Sequence, residues 1–352
     1  MPSPLKQCFS YCAVFLKDSV FSIDDLVLRW MAQGYVESKG NMEIEIRARE
    51  YFEILAICSF FQDFIKDEED DKIIRCKMHD VVHDFAQLMA KNECVTINSD
   101  IELGSDYRNA RHLYLEIPKG VQFCESIYSA KNLRTLSFEY QSNYNLSNLF
   151  QHFRCLRSLT LKCLDGMIMH LPDAIETFIH LRYLNLSNYD VDTLPETICN
   201  LCNLQILKIY IGGTNRFMKL PQGINKLINL RHFILEGNIY SNSHLEFPRG
   251  IGRLTSLRTL SYFDISGKDD TKGCNLGDLK NLNQLQGSLG IRRLGNVIDV
   301  CEAENAQFKK KIHLRDLYLG FDGENEERME NDALFLNALE PPPNLEYLRI
   351  EL

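Results

Sequence analysis

The stretch Leu181-Arg-Tyr-Leu-Asn-Leu186, with Leu194-Pro-Glu-Thr-Ile198 and Leu204-Gln-Ile-Leu-Lys-Ile209 after it, decides the fold of this chain. In each hexapeptide the apolar residues stand at positions one, four and six, and the last two point to the same side of a short strand. The proline between the hexapeptides ends the extended segment, and the isoleucine three positions later returns to the apolar side. A single unit of this kind cannot bury its leucines, so the stretch predicts a stack of similar units.

The same pattern recurs on both sides of this stretch. Units begin at residues 133, 156, 181, 204, 230 and 257, and further copies begin at residues 314 and 345. The Leu-Pro-x-x-Ile segment recurs at residues 171, 194 and 220, with a variant at Phe247-Pro-Arg-Gly-Ile251. A spacing of about 23 to 27 residues is typical of leucine-rich repeats. Residues 110–352 are therefore predicted to form a leucine-rich-repeat solenoid with a curved parallel β-sheet.

The first 95 residues have a different pattern, in which helices precede a hairpin. Ser22-Ile-Asp-Asp25 has the form of a capping box at the start of a helix, and the acidic run at 67–71 belongs at a solvated turn between two strands. The predicted elements are a helix over Leu5–Phe15, a helix after Ser22, a helix over Glu43–Ile57, strands over Phe60–Ile65 and Lys72–Met78, and a helix over His79–Lys91. The fold class is therefore α/β, with an N-terminal winged-helix domain at 1–95, a linker at 96–109 and the repeats after it.

Composition limits the function. The formal net charge of −9 disfavours nonspecific binding to nucleic acid, because the phosphates would repel the protein surface. No apolar stretch approaches the roughly 18 residues that a membrane helix needs, and the N-terminus does not read as a signal peptide. The 12 cysteines are scattered without a framework, which indicates reduced and mostly buried thiols. We expect a cytoplasmic protein with no integral membrane segment and no nucleic-acid partner.

Several motifs resemble those of one protein family. Leu5-Lys-Gln-Cys-Phe-Ser-Tyr-Cys-Ala-Val-Phe15 resembles the motif that ends the nucleotide-binding core of plant NB-ARC disease resistance proteins of the coiled-coil class. Leu28-Arg-Trp-Met-Ala-Gln-Gly34 and Tyr51-Phe-Glu-Ile-Leu55 are similar to that family's winged-helix segments, and Met78-His-Asp80 matches its Met-His-Asp motif. The Leu-Pro-x-x-Ile segments are similar to its plant-type repeats. The resemblance covers nearly the whole chain, and the motifs stand in the family's order.

The resemblance implies an intracellular immune receptor that works as an ATPase-like switch. In that family ADP holds the receptor closed, exchange for ATP opens it, and the repeats recognise a pathogen effector or a guarded host protein. A switch role is implied for Met78, His79 and Asp80, and His79 would contact the β-phosphate of ADP in the intact receptor only. The implied partners are a protein ligand and an intramolecular nucleotide-binding domain.

The chain also departs from the family's pattern. It contains no Gly-x-x-x-x-Gly-Lys-Ser/Thr loop to cradle phosphates, and no apolar run that ends in paired aspartates and could hold magnesium. No coiled-coil domain precedes Leu5, and Leu352 falls inside a repeat. We therefore expect a fragment, truncated at its C-terminus, that is not an enzyme and takes no cofactor by itself, whereas the intact parent would bind ADP or ATP.

Two other functions stay open at this stage. The first is a leucine-rich-repeat scaffold that binds a protein without any switch, although such a scaffold would have no use for a Met-His-Asp motif. The second is a zinc hydrolase, because His79-Asp-Val-Val-His83 places two histidines at i and i+4 beside an acid. Zinc peptidases have glutamate at that position and a third ligand elsewhere, and no motif in this sequence supplies that ligand.

The period of two along each predicted strand assigns a set of polar and aromatic side chains to the open, concave face of the sheet. Exposed aromatic and charged residues there suit the recognition of a protein partner. The candidate partner-binding residues are Tyr183, Asn185, Lys208, Tyr210, His232, Tyr318 and Arg349.

An arginine follows the first apolar residue of most units, at residues 111, 134, 157, 182, 231, 258 and 315. Strands of neighbouring units lie about 4.8 Å apart, so these arginines should form a ladder. One interpretation is that each arginine pairs with a neighbouring acid or lies in water. The other is that Arg134, Arg157 and Arg182 dock the repeats onto an acidic surface of the same receptor and keep it closed.

Overall fold

The computed structural model of the chain describes residues 1–37, 43–67, 72–97, 106–117, 125–140, 144–164, 170–186, 193–211, 217–237, 244–267, 270, 272–297, 299–321 and 329–351. The chain divides into two compact units. The first comprises Met1–Leu164 with His180–Leu184, and the second comprises Asp165–Ile179 with Asn185–Leu352. The first compact unit therefore contains both the predicted winged helix and the beginning of the repeats.

The first unit begins with a winged-helix arrangement. Its helices are α1 (Ser3–Tyr11), which a 3-10 turn over Cys12–Val14 extends, α2 (Ile23–Gln33), α3 (Ile44–Ile57) and α4 (Asp80–Ala90). Its strands are β1 (Phe21–Ser22), β2 (Phe61–Lys66) and β3 (Ile73–Met78), which form an antiparallel sheet in the order β1-β3-β2. The predicted helices and hairpin are confirmed, and residues 68–71 of the acidic run lie outside the described residues.

Helix α2 is capped at both ends by residues that its own sequence supplies. The hydroxyl of Ser22 accepts a hydrogen bond from the backbone N–H of Asp25 at 3.3 Å, as the capping-box pattern predicts. Gly34 ends the helix in the left-handed region, with φ at 75°, and its N–H donates to the carbonyl of Met31. Between the caps, Trp30 is completely buried in the core of the winged helix.

After α4 the first unit continues as parallel strands. These are β4 (Cys94–Ile97), β5 (His112–Glu116), β6 (Thr135–Tyr140) and β7 (Ser158–Cys163), which pair in that order, with α5 (Leu146–His152) between β6 and β7. Leu113 pairs with Leu136, and Leu136 pairs with Leu159, so the buried leucines of successive units lie side by side. The sheet begins earlier than expected, because β4 precedes residue 110.

The second unit consists of further parallel strands. Strand β8 (Tyr183–Leu186) is divided between the two units. The remaining elements are β9 (Ile206–Ile211), β10 (Phe217–Lys219), β11 (His232–Gly237), β12 (His244–Glu246), β13 (Thr259–Leu260), β14 (Tyr262–Asp264), β15 (Gln286–Arg292), α6 (Cys301–Asn305), β16 (His313–Gly320), α7 (Met329–Ala338) and β17 (Tyr347–Glu351). Strands β9, β11 and β13 pair in that order, β14 to β17 form a four-stranded sheet, and β10 pairs with β12.

The Leu-Pro-x-x-Ile segments fill the core of the second unit as predicted. Short 3-10 helices over Asp173–Thr177 and Glu196–Asn200 follow two of the prolines. Burial of one such aliphatic side chain contributes about 1.5–3 kcal/mol, so the regular stack accumulates its stability unit by unit. The completely buried isoleucines of these segments are Ile175, Ile198, Ile224 and Ile251.

The cysteines that the structure describes are free thiols. Cys8 and Cys12 are buried in the winged helix, where burial raises the pKa of both thiols. Cys155, which the sequence places in an apolar run, is exposed. Within the described part of the chain, no helix is long and apolar enough to cross a membrane.

Candidate functional site

The polar side of α2 contacts the polar side of the first parallel strands. Asp25, Arg29 and Gln33 are spaced four residues apart, which places them on one face of the helix. Opposite them, β6 presents Thr135 and β7 presents Thr160. All of these residues belong to the first compact unit. The spacing of four could have revealed this polar side from the sequence.

Arg29 makes the largest number of these contacts. Its side chain is 7% exposed and forms an ion pair with Asp25 at 2.7 Å. It donates to the hydroxyl of Thr160 at 3.0 Å and to that of Ser137 at 3.4 Å, and its guanidinium lies 4.8 Å from the ring centre of Tyr183. Burial by itself would lower the pKa of Arg29, but the Asp25 carboxylate and the phenols of Tyr183 and Tyr11 outweigh it, so the pKa is raised well above its usual value.

Tyr183 is completely buried beneath α2, which corrects the expectation that it lies on an open surface. Its phenol donates a hydrogen bond to the second carboxylate oxygen of Asp25. Asp25 therefore holds both Arg29 of its own helix and a tyrosine of the repeats. A carboxylate and a guanidinium removed from water together need such paired and hydrogen-bonded surroundings.

A second group of polar contacts lies near the C-terminus of α2. Gln33 donates to the hydroxyl of Thr135 at 2.9 Å, and that hydroxyl also bonds His112 Nδ1 at 2.9 Å. The other ring nitrogen of His112 bonds the phenol of Tyr35 at 3.0 Å. Burial, followed by the charges of nearby arginines including Arg134, lowers the pKa of His112 to about 3. His112 is therefore a neutral link between the helix and β5.

The predicted arginine ladder is present in the first unit. The backbone N–H of Arg134 donates to Arg111 O, that of Arg157 donates to Arg134 O, and that of Arg182 donates to Arg157 O, at 2.7–2.8 Å. Burial, followed by the charges of Arg134 and Arg182, lowers the pKa of Arg157. Among the residues that the structure describes, no carboxylate is recorded within ion-pair distance of Arg134, Arg157 or Arg182.

The ladder meets the C-terminus of α2. Arg157 Nη1 donates to the carbonyl of Gln33, the last residue of that helix, at 2.6 Å. A Cβ on Gly34 would lie 3.4 Å from Arg182 Nη1. The carboxyl end of a helix carries partial negative charge, so guanidinium groups are favourable there. The structure thus brings Arg157 and Arg182 against the winged helix, where the acceptor is a helix end rather than an acidic side chain.

Three further candidates for partner binding are buried rather than open, which corrects the sequence-based expectation. Asn185 is 5% exposed and Lys208 is 8% exposed. Lys208 extends along the sheet to Glu236, with Nζ 2.9 Å from the carboxylate. His232 is buried and bonds the hydroxyl of Thr259 at 3.1 Å. The period of two could not show that side chains of neighbouring strands would bind one another.

The other candidates retain an accessible surface. Tyr210 and Tyr318 are half-buried, and Arg349 is exposed. Tyr318 pairs with Arg349 in the register of β16 and β17, and the guanidinium lies 5.9 Å from the ring centre. The phenol of Tyr318 donates to Glu351 at 2.6 Å. Their role in binding a partner remains a prediction.

The Met-His-Asp residues lie where β3 passes into α4. Met78 is buried at the end of β3, His79 is exposed and immediately precedes the helix, and Asp80 occupies the first turn. A carboxylate in the first turn is favourable because it complements the positive end of the helix dipole. Of these three residues, only His79 is exposed.

The second histidine of His79-Asp-Val-Val-His83 anchors the helix. His83 is buried, and its Nε2 donates to the carbonyl of Phe15 at 2.9 Å. Asp84 forms an ion pair with Lys17 at 2.8 Å. Both contacts fasten α4 to the segment that follows α1, so His83 is engaged in packing rather than directed toward a shared ligand with His79. In the described ranges, no group of three or more His, Cys, Asp or Glu residues could hold a metal ion.

Comparisons with known proteins agree with these arrangements. The winged-helix model of disease resistance proteins matches residues 14–86, and a leucine-rich-repeat region model matches residues 132–352. The chain is 36% identical over 353 residues to putative disease resistance protein RGA1 of Solanum bulbocastanum, which covers 99% of this chain and 32% of that protein. It is 30% identical over 370 residues to putative disease resistance RPP13-like protein 1 of Arabidopsis thaliana, which covers 100% of this chain and 33% of that protein.

The chain thus spans about a third of the length of these relatives. Among solved structures, an internalin of Listeria monocytogenes is similar, with 15% identity, a TM-score of 0.46, and coverage of 69% of this chain and 68% of that chain. The repeat model covers more than half of the sequence, and the winged-helix model matches the segment before it. The chain therefore belongs to the plant disease resistance proteins that combine a winged-helix domain with leucine-rich repeats.

Proposed function

We propose that the chain is the sensing and autoinhibitory part of a cytoplasmic plant immune receptor, and that it acts by binding and regulation rather than by catalysis. The observation that carries the proposal is the contact between α2 and the first parallel strands, in which Arg29 and Tyr183 are both buried. A scaffold without a switch has no need of a winged helix fastened to its repeats through buried polar groups. The contact therefore favours a switch over a passive scaffold.

The proposed nucleotide contact lies at the start of α4. His79 immediately precedes this 11-residue helix, whose first backbone N–H groups and dipole favour a phosphate. A hydrogen bond from the imidazole would stabilise the negative charge of the β-phosphate of ADP. In this proposal ADP belongs to the intact receptor, where the nucleotide-binding domain is the intramolecular partner of this chain, and the chain takes no cofactor by itself.

The proposed ligand is a protein, either a pathogen effector or a guarded host protein. Tyr318 and Arg349 offer it an aromatic ring and a guanidinium on neighbouring strands, and these residue types often dominate binding energy. Such a ligand opens the receptor only if it binds the open state more tightly than the closed state. Coupling of this kind is typically about 1–3 kcal/mol, so the loss of one closing contact would noticeably populate the open state.

The test is a chimera in which this chain replaces the matching segment of the Solanum bulbocastanum relative RGA1, expressed in leaves. We expect the unaltered chimera to be silent. Charge reversal at Arg134, Arg157 and Arg182 should cause cell death without a pathogen, because glutamates would face the negative end of α2. Asp80→Val should also cause cell death without a pathogen, because it changes the Met-His-Asp segment. This variant also shows whether the chimera can signal at all.

Arg315→Glu is the matched control. Arg315 occupies the same position in a later unit, but it pairs with Glu346 at 2.7 Å and its side chain is 53% exposed. This variant should stay silent. If the triple reversal also stays silent while it accumulates normally and Asp80→Val kills the tissue, the proposed autoinhibition through the arginine ladder is wrong.

A further inference from the structure

A cleft of about 570 Å³ opens beside α5 in the first compact unit. Its volume falls within the range of small-molecule sites, which is about 300–1,000 Å³. Neither the contact of α2 with the strands nor the Met-His-Asp segment uses any of its residues. The described residues that line it are Glu125, Tyr128, Tyr144, Asn145, Asn148 and His152.

The aromatic rings of the cleft are held in place by their neighbours. Tyr128 stacks on His152, with ring centres 3.9 Å apart and an angle of 22° between the planes. Tyr144 stands edge-on against the fully buried Phe138, with ring centres 5.0 Å apart. Burial, followed by the interaction with Tyr128, raises the pKa of Tyr144. The cleft is therefore walled by aromatic rings that their neighbours hold in place.

The polar groups of the cleft include a carboxylate, two side-chain amides and an imidazole. His152 Nδ1 lies 2.7 Å from the carbonyl of Asn148, and a carbonyl can only accept, so Nδ1 carries the proton. Glu125 is exposed and adds a carboxylate, and none of the described lining residues is a lysine or an arginine. The site combines aromatic rings, side-chain amides and one negative charge.

We propose that this cleft binds a quaternary ammonium group. Such a group has no strong hydrogen-bond donors, but it is attracted to the negative faces of aromatic rings and to a carboxylate. An anion would be repelled by Glu125 and would find no cationic side chain among the described lining residues. A plain hydrocarbon would gain nothing from the carboxylate of Glu125. The proposal is independent of the immune function proposed above.

The test uses the full chain and two probes, choline and the amide of Nα-acetyl-Nε-trimethyl-lysine, in ligand-detected NMR titrations. Choline represents a lipid headgroup, and the second probe represents a modified protein side chain. The probe that binds more tightly therefore identifies the source of the natural ligand. The control ligand is 3,3-dimethylbutan-1-ol, which has the shape of choline without its charge. We expect at least one cation to bind about tenfold more tightly than the neutral alcohol.

Variants locate the binding in this cleft. Tyr128→Leu should abolish binding, and Glu125→Gln, at an exposed position, should weaken it about threefold. Tyr347→Leu is the matched control, because Tyr347 is 66% exposed on β17 and lies outside the cleft. Equal binding of choline and the neutral alcohol would overturn the proposal. The proposal would also be overturned if neither Tyr128→Leu nor Glu125→Gln changed the affinity for the cations.

Discussion

At the scale of single residues, Arg29 connects the winged helix to the repeats. Its guanidinium reaches Asp25 on α2, Ser137 on β6 and Thr160 on β7 while it is almost fully removed from water. A buried ion pair adds little stability compared with apolar packing, but removal of one partner leaves a charge without compensation. The pair therefore specifies how α2 lies on the strands more than it strengthens the fold.

This argument predicts the effect of Arg29→Met. The substitution keeps the apolar stem but leaves the Asp25 carboxylate without its cation, so the free energy of unfolding should fall by about 3 kcal/mol. Urea unfolding followed by far-UV circular dichroism measures the change. Arg49→Met is the control, because Arg49 pairs with Asp24, whose side chain is 63% exposed, and it should cost less than about 1 kcal/mol. Equal losses in the two variants would contradict the argument.

At the scale of elements, α2 contacts two different parts of the molecule with its two sides. Its apolar side places Leu26 and Trp30 in the winged-helix core, and its polar side meets the strands. The apolar side could be predicted from sequence, because burial follows the helical period. The partner of the polar side could not be predicted from sequence. In the sequence, Asp25, Arg29 and Gln33 look like an ordinary solvent-exposed helix face.

The C-terminal cap of α2 offers an element-scale prediction. Gly34 has φ at 75°, and an added Cβ would approach the guanidinium of Arg182 at 3.4 Å. Gly34→Ala should therefore lower the free energy of unfolding by about 1 kcal/mol, because the left-handed conformation is strained for alanine. Thermal unfolding by calorimetry measures it. Gly267→Ala is the control, since no atom lies within 4 Å of its added Cβ and φ is not in that region. If the two variants have the same melting temperature, the left-handed conformation of Gly34 does not stabilise the fold.

The repeats show which part of a binding surface a pattern can reveal. The leucine and isoleucine positions were predictable because every unit repeats the same burial, and Leu136, Leu159 and Ile198 are completely buried. The polar strand positions between them were predictable as a row but not as a surface. Tyr183 is covered by a helix 158 residues away in sequence, and Lys208 is held by a carboxylate of the next strand. Such long-range pairing leaves no local signal.

At the scale of the whole molecule, the chain spans about a third of its relatives' length, and the phosphate-cradling loop is absent from its sequence. His79 can supply one donor at the start of α4, but tight binding of a diphosphate usually draws on several backbone N–H groups of such a loop. We therefore predict that the isolated chain gives no heat of binding with ADP at micromolar concentrations, and that His79→Ala changes nothing in this experiment. Isothermal titration calorimetry on the purified chain measures this binding. The intact RGA1 chimera is the positive control, in which His79→Ala should weaken the binding of ADP. If the isolated chain binds ADP with micromolar affinity and His79→Ala abolishes this binding, α4 and its neighbours hold the nucleotide by themselves. The proposal that a separate nucleotide-binding domain is needed to bind ADP would then be wrong.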